Sequence, residues 1–412
     1  MFLDGYILGI IGPVTGTMSA DLGLSTLWEG MIAAGALIGI LVGSPLGGWA
    51  GDKFGRKPLF LADMGVFLAA SALQFFVDSA WQLFVVRLLM GVAIGVEYSV
   101  GWPLLSEFAP ARLRGRLMGV TLIAWYVGFM VAFLIGHVLN ESTNLSWEVI
   151  LGTSTLIAGV LFVGRIGLPE SPRWLWSQGR KDEALDVAHR YMENVDDMAD
   201  LEHEDVRKGT FGSLFTQHRR ATLFISVFWF CAVTPYFAIA TFADSVLDKY
   251  GLSGGLTGGV ALSGLAVASV VLTVLLIDKV GRRVLTVPPQ WLCAGVLAAI
   301  GLWVGAPPLI VLVLFLAFSF LSAMCGTLTS IYPSEVFPTE VRGIGTGFAA
   351  AVSRIGAALG TFLLPWSMSN LGTTVTLLVA AGIAAVGAAV SQWLAPETRG
   401  KSLTETAAEF TH

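Results

Sequence analysis

Apolar runs of about 18–25 residues alternate with short polar stretches along the whole chain. They fall near 1–19, 27–50, 58–77, 82–106, 115–138 and 147–168, then near 221–246, 255–277, 284–304, 307–332, 343–366 and 373–394. Apolar positions within each run are continuous and do not alternate with a period of two, which excludes a membrane β-barrel. At about 1.5 Å rise per residue, each run crosses about 30 Å of hydrocarbon as a helix. The pattern predicts an all-α integral membrane protein with twelve transmembrane helices.

Composition agrees with this reading. Of 412 residues, 55% are apolar and 13% are charged, about half the charged share of a soluble domain. A net charge of -5 gives no footprint for nucleic acid. Cys231, Cys293 and Cys325 sit in separate apolar runs without metal or redox spacing and read as buried small hydrophobes. There is no Ser/His/Asp set, metal-ligand spacing or P-loop, so an enzyme, a metal site or an organic cofactor is not expected. His203-Glu204 lies in an acidic patch and reads as a solvated charge run.

Basic residues orient the spans. Lys53, Arg56 and Lys57 follow the second run, Arg112, Arg114 and Arg116 the fourth, a dense group from Arg173 to Arg220 the sixth, and Lys279, Arg282 and Arg283 the eighth. The opposite loops offer only Lys249. By the positive-inside rule both termini face the cytoplasm of a cell-membrane protein. The first run opens abruptly, with Asp4 close to the start, as it would if a short segment preceded it. No basic n-region or cleavage site marks a secretory signal.

Three landmarks occur twice, about 227 residues apart. Asp52-Lys-Phe-Gly55-Arg56-Lys57 returns as Asp278-Lys-Val-Gly281-Arg282-Arg283, and Glu107, Pro110, Arg114 and Gly115 as Glu335, Pro338, Arg342 and Gly343. Pro169-Glu170-Ser-Pro-Arg173 returns as Pro396-Glu397-Thr-Arg399. Three ordered matches at one offset imply an internal repeat: halves at 1–168 and 221–394, a polar, helix-compatible linker at 169–220, and a tail at 395–412. Six spans per half give both halves the same orientation, with a substrate site between them near the midplane.

These motifs resemble the major facilitator superfamily along essentially the whole chain. Pro169-Glu-Ser-Pro-Arg-Trp-Leu175 and Pro396-Glu-Thr-Arg-Gly-Lys-Ser-Leu403 resemble its sugar porter and metabolite–proton symporter branch. Phe2-Leu-Asp-Gly-Tyr6, Arg87 with Gly91, Gly95 and Glu97, and the Tyr332 to Gly343 stretch look like bacterial inner-membrane metabolite transporters of that branch. The resemblance implies alternating access, proton coupling and a small-molecule substrate, carried out in the bilayer by a monomer. Hexose-carrying members have a Gln in span 5 and a Gln-Gln…Asn set in span 7. Here those stretches read Leu122-Ile-Ala-Trp-Tyr-Val127 and Phe228-Trp-Phe-Cys-Ala-Val-Thr-Pro-Tyr236. A pocket lined by Trp125, Tyr126, Trp229, Phe230 and Tyr236, with Tyr6 as a further candidate, suits a planar or partly apolar solute, although some of these rings could face lipid or neighbouring helices. Span 5 also lacks the Gly-Pro motif of drug antiporters.

An ionised side chain at mid-membrane costs at least about 2.5–3.5 kcal/mol on insertion scales. Asp4, Arg87, Glu97 and Arg354 lie deepest, with Glu29, Asp63 and Asp244 nearer span ends. Asp4 is the leading proton carrier. In the resembled family the span 1 Asp pairs with the span 4 Arg, here Arg87; a permanent packing pair is the alternative. Glu97 reads equally as a second proton site or as a bond to a neighbouring helix. Arg87, Gly91 and Gly95 share one helical face, which is a packing motif. Arg354 has no basic counterpart in the first half. In organic-ion relatives an Arg in this span accompanies anion transport, while a local salt bridge or carbonyl cap would also account for it.

Gly55 allows a tight turn in a very short loop. Asp52 can meet Arg56 or the start of span 5, and Glu107 can join Arg114, with Asp278, Arg282, Glu335 and Arg342 repeating the network. The family resemblance implies that these residues, with Glu170 and Glu397, hold the cytoplasmic side closed; basic loops would equally serve topology alone. The readings to be distinguished are a proton-coupled importer of an organic anion, a proton–sugar or polyol symporter, and a non-transporting sensor. The short tail speaks against the sensor.

Overall fold

A computed structural model describes residues 1–108, 114–143, 145–191, 211–250, 255–303, 305–337 and 341–399. Within these, the side chains of Asp52, Glu107, Arg114 and Arg342 lie outside the described residues, as do the linker at 192–210 and the tail from 400. The described chain is helical throughout: α1 Phe2–Gly9, α2 Ile11–Leu22, α3 Thr26–Phe54, α4 Arg56–Leu73, α5 Ala80–Phe108, α6 Arg114–Ser142, α7 Trp147–Gly152, α8 Ser154–Arg165, α9 Pro172–Ser177 and α10 Lys181–Tyr191. It continues as α11 Ser213–Thr216, α12 Arg219–Thr241, α13 Ala243–Asp248, α14 Gly255–Val280, α15 Val287–Leu302, α16 Pro308–Val336, α17 Arg342–Asn370 and α18 Gly372–Leu394.

Among the described residues, 10 helical stretches are long and apolar enough to cross a membrane. The other two predicted spans take different forms. The first is split into α1 and α2 at Ile10. Pro13 explains the break: it has no N–H to donate, and its ring crowds the carbonyl four residues back, at Gly9. The ninth is the 16-residue α15. Pro288 and Pro289 occupy its first turn, where missing N–H groups cost nothing, and fix its start.

Small residues set the packing within the first group of helices, α1 to α8. The Arg87–Gly91–Gly95 face of α5 lies against α3. A Cβ at Gly91 would overlap the carbonyl of Ala36, and one at Gly95 would come within 2.6 Å of the Ser44 nitrogen. Backbones can approach that closely only where side chains are absent. Helices α12 to α18 form a second group, built on α12 against α17 and α15 against α18. The groups meet along two seams, α3 with α17 and α6 with α14. Large apolar side chains such as Phe76, Trp81, Leu156 and Trp393 are exposed on the outside, where bilayer would cover them.

All three cysteines are buried free thiols. Although separate in sequence, they converge within the second group on one small cavity, lined also by Gln290 and Ser322.

Candidate functional site

Four helices deliver aromatic rings and one guanidinium to the junction between the groups. Tyr98 comes from α5, Trp125 and Tyr126 from α6, Tyr236 and Phe237 from α12, and Arg354 from α17. Ring centroids of Tyr126 and Tyr236 lie 6.0 Å apart, and those of Trp125 and Phe237 also 6.0 Å, so both contacts bridge the groups. The Trp125 indole N–H donates to the Tyr98 hydroxyl at 3.1 Å. Arg354 is 9% exposed, with its Cζ 5.8 Å from the Tyr98 centroid and 5.7 Å from that of Phe237. It forms no ion pair among the described residues. The two π faces stabilise the charge by about 0.5–2 kcal/mol each, and its N–H donors are left for another acceptor. The local salt bridge considered from sequence is not formed.

Tyr6 and Trp229 lie outside this ring cluster. The Tyr6 hydroxyl shares a 2.7 Å hydrogen bond with the Thr153 hydroxyl, wholly within the first group. Trp229 is buried on α12 and takes part in none of the described ring pairs.

The second cluster lies inside the first group. Asp4 of α1, Asp63 of α4, and Arg87 and Glu97 of α5 are all at most 3% exposed. The expected Asp4–Arg87 ion pair is not made. Arg87 instead donates through Nε to the Ile32 carbonyl at 2.9 Å and through Nη1 to the Ile7 carbonyl at 3.4 Å, so main-chain acceptors on α3 and α1 take the role assigned to the carboxylate. Arg165, the last residue of α8, is the cation that meets the acids. Its Nη2 lies 3.0 Å from Glu97 Oε1 and its Nη1 3.4 Å from Asp63 Oδ1, and the guanidinium rests on the Phe60 ring at 3.7 Å. The amino group of Met1 lies 2.7 Å from Glu97 Oε1 and 3.2 Å from Asp4 Oδ2. Asp4 Oδ1, Asp63 Oδ2 and Glu97 Oε2 accept no hydrogen bond.

At the loop ends the repeat becomes geometry. Glu170 Oε1 accepts from the main-chain N–H of Arg56 at 3.0 Å and Lys57 at 3.2 Å, capping the start of α4. In the second group, Glu397 accepts from the main-chain N–H of Arg282 at 3.0 Å, Arg283 at 3.1 Å and Arg399 at 2.9 Å. Gly55 and Gly281 turn beneath these carboxylates at φ 99° and 97°, and a Cβ on either would come within 2.5 Å of a carboxylate oxygen. Burial works to raise the Glu397 carboxyl, but the three amide donors and the Arg282 charge outweigh it and hold it below its ordinary value. Arg282 reaches Asp278 at 3.1 Å and Glu335 at 3.0 Å. Burial lowers its guanidinium, and these two acids, Glu335 foremost, more than restore it. Each of these contacts lies within one group of helices.

Sequence reasoning passed over Tyr98, Phe237 and Arg165 and set Asp63 aside as near a span end. Arg165 lies inside the sixth apolar run, near its end, and is absent from both the loop cations and the deep charges read from the sequence. The available signal was an arginine on the membrane side of Pro169-Glu170, with an acid facing it from Asp63.

Two groups of membrane-length helices, meeting around a buried aromatic and guanidinium site, define a multi-span membrane transporter of the major facilitator type. The Sugar (and other) transporter family model matches residues 11–410, and the chain belongs to that family. It is 36% identical to the "Inner membrane metabolite transport protein YgcS" of Escherichia coli K12 over 97% of this chain and 90% of the relative. It is 34% identical to the "Putative metabolite transport protein YaaU" of the same organism, over 98% and 91%. The fold matches the inward-open xylose transporter XylE from E. coli with a TM-score of 0.82 at 20% identity, covering 99% of this chain and 97% of that one. The branch expected from the repeated motifs is thus the family found, and its members are transporters rather than enzymes.

Proposed function

We propose that this protein is a proton-coupled importer of a small organic anion, in which residues 1–168 and 221–394 rock about the central site and both termini face the cytoplasm. One observation carries the substrate class: Arg354 is buried at the junction between two ring faces, with no carboxylate partner among the described residues. Guanidinium matches a carboxylate with two parallel N–H donors, and desolvation strengthens each bond. Rings at Trp125, Tyr126, Tyr236 and Phe237 supply flat apolar walls for the rest of the solute. Asp4 is the coupling group in this reading, since it is a fully buried carboxyl that Arg87 does not pair. The glutamate clamps on Gly55 and Gly281 keep each group rigid while the two move.

The test is uptake into proteoliposomes with voltage and pH gradients imposed separately. A monoanion entering with one proton moves no net charge, so accumulation follows pH and ignores voltage. A neutral solute with one proton gains about 2.3 kcal/mol per 100 mV, roughly 50-fold. Arg354→Lys should retain weak uptake and Arg354→Gln should lose it. Strong voltage dependence with a neutral solute, unchanged in Arg354→Gln, would exclude the anion. A sugar or polyol symporter is the second reading, because a "Glucose transporter GlcP" and a "Major myo-inositol transporter IolT" are each 26% identical to this chain. The amide-poor spans 5 and 7 weigh against it.

A further inference from the structure

The junction between the two helix groups offers donors without acceptors. Arg354 of α17 rests against the Tyr98 and Phe237 rings and makes no hydrogen bond or ion pair among the described residues. Tyr98 of α5 accepts the Trp125 indole N–H at 3.1 Å. An indole nitrogen can only donate, so the Tyr98 hydroxyl keeps its own proton to give elsewhere, and no described residue accepts it. Trp102 stacks on Tyr98 with centroids 5.2 Å apart, and its indole N–H is buried without a partner. The neighbouring hydroxyls of Tyr126 and Tyr236 are bonded to each other. A buried donor left unpaired carries the full penalty of its lost hydration, so a site made of donors calls for a ligand made of acceptors. The donors also stand on opposite sides of the junction, Tyr98 and Trp102 in the first group and Arg354 in the second.

We propose that the transported solute is an aromatic carboxylate whose carboxyl group bridges the two helix groups, one oxygen held by Arg354 and the other by the Tyr98 hydroxyl. The bridge rests on the anion reading given above and deepens it. Trp125 is a positioning residue that acts through Tyr98: by occupying a lone pair of the hydroxyl it fixes where the remaining proton points. The ring of the solute finds flat partners in the Trp125–Phe237 and Tyr126–Tyr236 pairs, which span the same junction. Because each anchor belongs to a different group, a bound carboxylate draws α5 and α17 together, and rocking the groups apart releases it.

Isothermal titration of the purified protein in detergent tests the bridge. The probes are benzoate, the smallest solute with both a carboxylate and a flat ring, and its neutral isostere benzamide. The parent should bind benzoate more tightly than benzamide. Tyr98→Phe keeps the ring, its stack on Trp102 and its contact with Arg354, and removes only the hydroxyl. It should weaken benzoate about 10- to 100-fold and benzamide at most about tenfold, because a hydrogen bond to a charge is worth more than one to a neutral carbonyl. Trp125→Phe should narrow the preference for benzoate in the parent but leave it unchanged in Tyr98→Phe, where no hydroxyl remains to position. Equal losses for both solutes would mean that Tyr98 serves packing alone, and would overturn the bridge. So would benzoate binding that Arg354→Gln abolishes and Tyr98→Phe leaves intact, with the anion reading still standing. Absence of benzoate binding by the parent overturns the aromatic assignment, while the voltage measurement judges the anion reading separately. Benzamide bound as tightly as benzoate defeats both.

Discussion

Replacing Gly55 with alanine tests the loop clamp directly. Gly55 has φ 99° and ψ 160°, a region essentially closed to residues with a side chain, which costs about 1–3 kcal/mol to enter. The added methyl would also fall 2.5 Å from Glu170 Oε2. Glu170 must then leave the Arg56 and Lys57 amides, and losing hydrogen bonds to a charged group costs about 1.5–3 kcal/mol. Together the substitution should destabilise the first group by about 3–6 kcal/mol. For a unit of about 170 residues, each kcal/mol shifts the midpoint by about 2–4 °C, so a fall of roughly 10 °C is expected. Thermal unfolding in detergent at a fixed scan rate would measure it. The double variant Gly55→Ala/Glu170→Ala separates the two contributions, because the methyl no longer meets a carboxylate. The double change should cost at least about 1 kcal/mol less than the two single changes added. A midpoint within a degree of the parent, or full additivity, would refute the overlap on which this reasoning rests.

Three further outcomes follow from the same geometry. Asp4→Asn should abolish uphill accumulation driven by a pH gradient while leaving substrate exchange; undiminished accumulation would move the coupling role elsewhere. Glu397 is held below its ordinary carboxyl range, so its clamp stabilises the second group fully above that range and is lost as pH falls through the lowered folded value. Glu397→Gln should therefore be less stable at neutral pH and flatter on the acid side, and an unchanged acid limb would contradict the assignment. Cysteines placed at Arg173 or Arg283 should react with impermeant reagents only from the cytoplasmic side, and labelling from outside would reverse the topology.

Periodicity and the repeat made the helices and the recurring loop motifs legible, but pointed to a side-chain charge network and not to the grip of Glu170 and Glu397 on main-chain N–H groups. Span lengths follow from apolar runs, and Gly55 and Gly281 could be matched because local motifs recur in order. Local order also explains the two deviating spans, since Pro13 and the Pro288-Pro289 pair are breakers visible in the sequence. What sequence could not supply was partnership across helices. The family resemblance paired Arg87 with Asp4, yet the main-chain carbonyls of Ile32 and Ile7 that Arg87 meets are invisible in a sequence. Arg165 and Tyr98 carry no local motif that marks them, and only the packing of α8 and α5 gives them partners. The convergence of Cys231, Cys293 and Cys325 is likewise a property of helix rotation rather than of spacing.

Glu170 and Glu397 grip main-chain N–H groups rather than side chains. A scan that replaces each loop residue with alanine would pass over this grip at Arg56, Lys57, Arg282 and Arg283, since alanine keeps the N–H. Proline at those positions deletes the donor and would expose it. The fastening itself is written in the backbone and the two glycines, beneath side chains such as Arg282 that make separate ion pairs of their own. A map of tolerated substitutions would show a residue such as Lys57 accepting alanine and refusing proline beside a glycine that accepts neither, a contrast that side-chain chemistry alone would misread.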